Sequence, residues 1–357
     1  MRPVDRRSAA TAAPLPEPRG PLSELVIEAL RRTPGASPSP LAAVGDAGYP
    51  PWTAGTGTDP LRDEDLQLLL FVCYELHYQG WHGVDDRWEW EPSLIAVRSA
   101  AEAGFERALR HLVGAPPRLT PDGLPGALAA LVAAADDGPP LSVELARRAD
   151  LARFREFVVH RSIYHLKEAD PHTWGIPRLT GRAKAALVEI QMDEYGGGRA
   201  DRMHATLFRG TMRWLGLDDR YGRYLDAVPA QTLAINNLIS LFGLHRRWRG
   251  ALLGHLAAFE MTSSLPNRRY GDGLRRLGGD PEATRFYDEH VEADAVHEQI
   301  AAHDLCGAFA AEHPWAVPEI WFGAACCLAL DRIFAEHLLT CWAGGRSALR
   351  AGALAVR

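Results

Sequence analysis

Apolar positions recur at i, i+3, i+4 spacing through most of the chain, the period of an amphipathic helix. The segments are LSELVIEALRR (22–32), DPLRDEDLQLLLFVCYELHYQ (59–79), SLIAVRSAAEAGFERALRHLV (93–113), LPGALAALVAAA (124–135), ADLARFREFVVHRSIYHLKE (149–168) and GRAKAALVEIQMDEY (181–195). They continue with residues 231–264, TRFYDEHVEADAVHEQIAAHDL (284–305) and VPEIWFGAACCLALDRIFAEHLLTCW (317–342). No alternating segment bounded by turn residues occurs, so the pattern predicts an all-α protein. Ser23 is a candidate cap for the first helix, and Asp59 or Asp63 for the second.

Residues 1–20 and 33–60 are rich in Pro, Gly, Ala and Ser and read as poor core formers. The expected organisation is a largely disordered stretch over 1–58, a helical N-terminal subdomain over 59–145, a helical bundle over 146–345 and a tail over 346–357. The boundary between the two helical parts is placed at DDGPP, residues 136–140.

Composition narrows the function classes. The 357 residues carry 45 acidic and 39 basic side chains, a net charge of −6, which argues against a nucleic-acid partner. Only Lys167 and Lys184 among the basic residues are lysines, a skew that reads as genomic bias. The five cysteines have no C-x-x-C spacing, and two are adjacent, so buried reduced thiols are expected rather than a disulfide framework or zinc ribbon. No apolar core follows Arg6-Arg7, and no run reaches the ~18 residues of a membrane span. A soluble, cytoplasmic protein without a membrane partner is expected.

The chain lacks G-x-G-x-x-G after a strand, G-x-x-x-x-G-K-[ST] and G-x-S-x-G, so Rossmann, P-loop and hydrolase chemistries have no support. HEQIA at 297–301 lacks the second His of a zincin. Chemistry must come from side chains projecting into a bundle.

The strongest local pattern is His290-x3-Asp294-x2-His297. On a helix Asp294 lies about 40° round from His290 and His297 about 20° the other way, so one face presents all three. Imidazoles with a carboxylate suit iron, manganese or zinc; a solvated polar face is the alternative. Glu168, Glu194 and Glu260 lie on other helical segments, with Glu189 and Asp193 competing for the role of Glu194. Glu260 follows an apolar run where a lone carboxylate is costly. Glu168 and Glu194 are 26 residues apart, and Glu260 and His290 are 30 apart, about one helical hairpin each.

His204 stands ten residues after Glu194, which is ~15 Å along a straight helix against ~3.5–4 Å between paired metals. Both could serve one cluster only if Gly196-Gly197-Gly198 breaks the helix between them. Glu168, Glu194, Glu260 and Asp294 could not be buried cheaply as four unpaired carboxylates.

This ordered set resembles the haem-oxygenase-like di-iron oxidases, also described as iron-containing redox enzymes. The likeness covers roughly residues 150–345. It implies a haem-oxygenase-like seven-helix bundle with a helical N-terminal extension, holding two Fe2+ ions that activate O2. The implied ligands are Glu168, Glu194, His204, Glu260, His290, Asp294 and His297, with no catalytic residue beyond them. Glu260 looks like the additional ligand of the N-oxygenating members, which oxidise amine or guanidine nitrogens of amino-acid-derived substrates. Desaturation and oxidative C–C cleavage are the alternatives within the fold, and a non-catalytic helical interaction protein is the alternative outside it. A small-molecule substrate, an external electron donor and a homodimer built through the extension are the partners the likeness suggests.

Other polar groups have weaker grounds. Cys73, Glu75, His77 and His82 form a second cluster, read as packing or a dimer contact before a metal site. His165 and His172 could substitute for a ligand near Glu168 or support one. Tyr164, Trp174, Asn236, Asn237 and Arg249 are pocket candidates by chemistry alone.

Overall fold

Helices form where the apolar period predicts them, and their ends are set by local chemistry. A computed structural model describes residues 12–35, 41, 59–135, 138 and 140–350; the side chains of residues 292–296 are not described. Helix α1 spans Pro21–Leu30 and α2 Glu64–Glu75, where Asp63 caps by accepting from the Asp65 and Leu66 amides. Ser23 is no cap: it lies inside the first turn of α1, and its hydroxyl accepts from the Arg19 amide. Helices α3 (Pro92–Val113), α4 (Leu124–Ala135) and α5 (Leu141–Arg147) complete the N-terminal part.

The bundle follows as α6 (Leu151–His165, capped by Asp150), α7 (Gly181–Glu194), α8 (His204–Trp214), α9 (Ala230–Leu244) and α10 (Arg249–Arg276). It closes with α11 (Pro281–Gln299), a π-helical segment over Ile300–Gly307, α12 (Ala308–Glu312) and α13 (Val317–Ala343). Among the described residues there is no strand, only an isolated bridge between Ala13 and Trp81. The apolar run 231–264 is two helices, because His245 turns extended (φ −100°, ψ 114°). Beyond it α10 continues through Pro266 to Arg276, farther than the periodicity reached.

The layers are fixed by the α10 contacts with α13, α11 and α5. The α10–α13 crossing is close enough that a Cβ on Gly254 would sit 1.8 Å from the Ile320 carbonyl oxygen, and one on Gly323 1.9 Å from that of Ala251. Only glycine allows backbones to meet so closely. This contact fixes the level of Glu260, six residues along α10.

Three expectations change. Within the stretch expected to be largely disordered, the helix predicted over 22–32 is present as α1, and residues 12–20 before it are packed as well: Arg19 reaches Glu64 at 2.6 Å and the Leu225 carbonyl at 2.7 Å, and Ala13 is buried. Residues 1–11, 36–40, 42–58 and 351–357 lie outside the described residues. The break at 136–140 also does not separate two cores. Leu124 and Leu128 of α4 share one core with α7, α10, the π segment and α13, while α2 packs on α9. The start of the expected tail is packed too: Ala348 donates to Glu156 and Arg350 to the Ala227 carbonyl.

All five cysteines are free and buried. Among the described residues no helix is long and apolar enough to cross a membrane.

Candidate metal centre

The glycine break predicted between Glu194 and His204 is present. Helix α7 ends at Glu194, Gly196, Gly197 and Gly198 take φ of 65°, 62° and 79°, and α8 begins at His204. Positive φ at three successive positions is open to glycine and expensive for other residues. The reversal folds His204 back until its Nδ1 stands 2.8 Å from Glu194 Oε2.

Glu168 is not on a helix. It lies in the turn after α6, followed by Ala169 at φ 72°. His290 projects from α11 in the next layer, with Nε2 3.7 Å from Glu168 Oε1. Ligand atoms of Glu168, Glu194, His204 and His290 all lie within 4.8 Å of one another. Their side chains are at most 10% exposed.

Glu260 and His297 form an adjoining pair, with His297 Nδ1 3.3 Å from Glu260 Oε2. The opposite ring nitrogen, Nε2, meets Asp193 Oδ2 at 2.9 Å. Tyr164 links the two groups electrostatically: burial, then the charges of Glu168, Glu194 and Glu260, push its hydroxyl well above the ordinary range. The backbone of Asp294 lies on α11 between His290 and His297, and its side chain lies outside the described residues.

The electrostatics explain why such a group needs a partner. Burial drives the Glu168 carboxyl up, but His165 and His290 together outweigh it and hold it below the ordinary carboxylate range. Burial also raises Glu194 and lowers His204, and each reverses the other's shift. For His297, burial lowers the pKa, yet Glu260 and Asp193 raise it to about 9.

Hydrogen bonding leaves specific atoms over. Glu168 Oε2, Glu194 Oε2, His204 Nδ1 and His297 Nδ1 are buried without a hydrogen-bond partner. The 2.8 Å Glu194–His204 contact therefore lacks hydrogen-bond geometry. Buried polar atoms are rarely left so, and lone pairs converging from two carboxylates and two imidazoles fit a hard or borderline divalent cation.

Neighbouring residues fix the orientation of these side chains. His290 Nδ1 bonds the Phe286 carbonyl at 2.8 Å, which makes Nδ1 the protonated nitrogen and turns Nε2 toward the carboxylates. His165 Nδ1 bonds Glu168 Oε1 at 2.8 Å, the supporting role open to it from three residues upstream. Asp193 holds His297 from an exposed position, whereas Glu189 is exposed and away from the group. The Asp193 role could not be separated from that of Glu194 by spacing alone.

Residues 155–332 match the family described as iron-containing redox enzymes. This bundle belongs to that family. A curated relative, nitrosourea synthase of Streptomyces achromogenes subsp. streptozoticus, is 30% identical over 162 residues, 43% of this chain and 33% of that protein. The chain thus spans about one third of the length of the curated relative it matches. A domain from Shewanella denitrificans described as having a heme oxygenase-like fold superposes with a TM-score of 0.50 at 14% identity, covering 65% of this chain and 98% of that one. A cadd-like protein from Nostoc punctiforme gives a TM-score of 0.48 at 17% identity over 62% of this chain and 97% of that one. The all-α architecture of this iron-containing redox enzyme is accordingly the haem-oxygenase-like one.

The remaining candidates lie elsewhere. Glu75 pairs with Lys167 and Tyr221, His77 pairs with Arg98 and Glu89, and His82 is exposed, so that cluster does not converge. Asn237 donates to Gln67 and so ties α9 to α2, while Asn236 donates to the Thr232 carbonyl one turn back in α9. Trp174 packs near Gly243, and Arg249 lies over Trp315. His172 Nε2 meets His255 Nδ1 at 3.2 Å, and the charges of Glu194 and Glu168 act on its ring without a direct contact.

Proposed function

We propose that the bundle is a non-haem di-iron, O2-dependent oxidoreductase that N-oxygenates an amine or guanidine nitrogen of an amino-acid-derived substrate. The observation that carries this reading is the buried convergence of Glu168, Glu194, His204 and His290, with ligand atoms within 4.8 Å of one another and Glu168 Oε2, Glu194 Oε2 and His204 Nδ1 left without hydrogen bonds. One ion would be held there. A second would be held by Glu260 and His297, with Asp294 as the further expected ligand.

Iron in such a site supplies the redox chemistry that couples O2 reduction to substrate oxidation. The protein supplies position and proton control. His290 is oriented by its bond to the Phe286 carbonyl, and His165 holds Glu168 by Oε1 and leaves Oε2 without a hydrogen bond. Burial excludes water from reactive species, and Tyr164 keeps its proton in the field of three carboxylates. Two of these carboxylates come from helix ends or turns, where a side chain can shift without bending a helix. The similarity to nitrosourea synthase supports nitrogen as the atom oxidised. The substrate, an electron donor and a homodimeric assembly are parts of this proposal.

Anaerobic loading with ferrous iron tests the centre: about two irons per chain are expected, and none bound would end the reading. Product analysis then tests the reaction. Amine and guanidine substrates under O2 should yield hydroxylamine, nitroso or nitro products. Alkene or chain-shortened products instead would assign the bundle to desaturation or C–C cleavage.

A further inference from the structure

The turn that carries Glu168 is held from both sides by residues that do not face the metal. On one side is Lys167, one of two lysines in a chain with 39 basic residues. Its ammonium donates to Glu75 Oε2 at 2.9 Å, with the two side chains 2% and 1% exposed. Tyr221 donates its hydroxyl proton to the other Glu75 oxygen at 2.7 Å, and the rings of Phe71 and Tyr78 lie 4.8 and 4.5 Å from the ammonium. On the other side Ala169 holds a left-handed conformation, and its carbonyl accepts from Gln191 Nε2 of α7 at 2.9 Å.

A buried ion pair is a poor device for stability, because desolvating both charges offsets their attraction and apolar residues of similar volume do as well. It is a good device for register, since it is satisfied in one geometry only. Glu168 has no regular helix to define its place. Its backbone is set by the residues on either side, and Glu75 is the last residue of α2.

We propose that Lys167 is a positioning residue, whose ion pair with Glu75 and Tyr221 fixes the turn that presents Glu168 to the metal. Docking of the N-terminal helices thereby sets how tightly the centre holds its ion. This rests on the metal-centre reading above.

The test replaces the pair and its hydroxyl partner at once, as Lys167→Met, Glu75→Leu and Tyr221→Phe, so that neither charge of the pair is left buried without the other, while Asp170, which also feels the Lys167 charge, keeps its hydrogen bond from Tyr195. Apo wild type and triple variant are unfolded thermally, then titrated anaerobically with Co2+, whose visible bands report ligand number and geometry. The triple variant should keep an apo midpoint at or above that of wild type. Its Co2+ affinity should fall by about 10–100-fold, the usual consequence of losing a ligand's support, with altered band intensity. Wild-type affinity and bands in the triple variant would overturn the proposal, and so would an apo variant that fails to fold, since the pair would then serve stability. Failure of wild type itself to bind Co2+ is a separate result, which removes the metal-centre reading and this inference with it.

Discussion

Glu194→Gln isolates the metal question from folding. The substitution conserves volume, removes one negative charge, and exchanges an oxygen whose 2.8 Å neighbour, His204 Nδ1, gains no hydrogen bond from it. Any ion bound to the native form alone stabilises by RT ln(1 + [L]/Kd), about 2.7 kcal/mol at one hundred times Kd. Loss of a ligand should cost at least the hundredfold upper limit seen for supporting residues. At the same metal concentration the variant then gains only about 0.4 kcal/mol. With an unfolding entropy of about 2.1 cal/mol/K per residue, the 357-residue chain shifts its midpoint by about 1.3 °C per kcal/mol, so wild type should rise by roughly 3–4 °C on adding Fe2+ anaerobically, and Glu194→Gln by about 0.5 °C. Calorimetry of apo and loaded samples reads both. If the variant keeps the full metal-induced rise, Glu194 is no ligand, and the convergence of the four side chains is an accident of packing.

Three further outcomes follow from the same geometry. Gly254→Ala forces a Cβ into the Ile320 carbonyl and should cost about 1–3 kcal/mol or more by overpacking, read as a lower apo midpoint together with weaker metal binding through the displaced Glu260. Ala169→Gly removes the strain of a positive φ, worth about 1–2 kcal/mol, against about 0.5–1 kcal/mol of added chain entropy; urea unfolding of the apo protein should show equal or slightly higher stability, and a clear loss would refute the strain argument. Acid should destabilise the fold before its carboxylates titrate. Burial lowers His160 and His255 well below 6.5 and His172 to about 4, so the unfolded chain binds protons first. Their contribution is complete above pH 6.5 and is lost as pH falls toward 4, with His172 alone worth about 3 kcal/mol over that window. Stability that is flat from pH 7 to 4.5 would contradict it.

Much of the centre could be read from residue spacing because the relevant rules are local. A 3.6-residue period places His290, Asp294 and His297 on one face whatever surrounds the helix. Three glycines can reverse a chain by themselves, and the break between α7 and α8 is where they stand. Helix boundaries for α3, α4 and α7 follow from the same kind of information.

What the sequence determined alone was therefore the helical class, the candidate side chains and the break that lets Glu194 and His204 meet. Only the tertiary structure decided that Glu168 sits in a strained turn, and that four side chains converge while Glu260 and His297 pair beside them. It also decided that Asp193 and Lys167 act from outside. The reason is range. Periodicity and turn chemistry act over a few residues, whereas the Lys167–Glu75 pair and the α10–α13 crossing join positions 92 and about 70 residues apart, at places set by packing of the whole bundle.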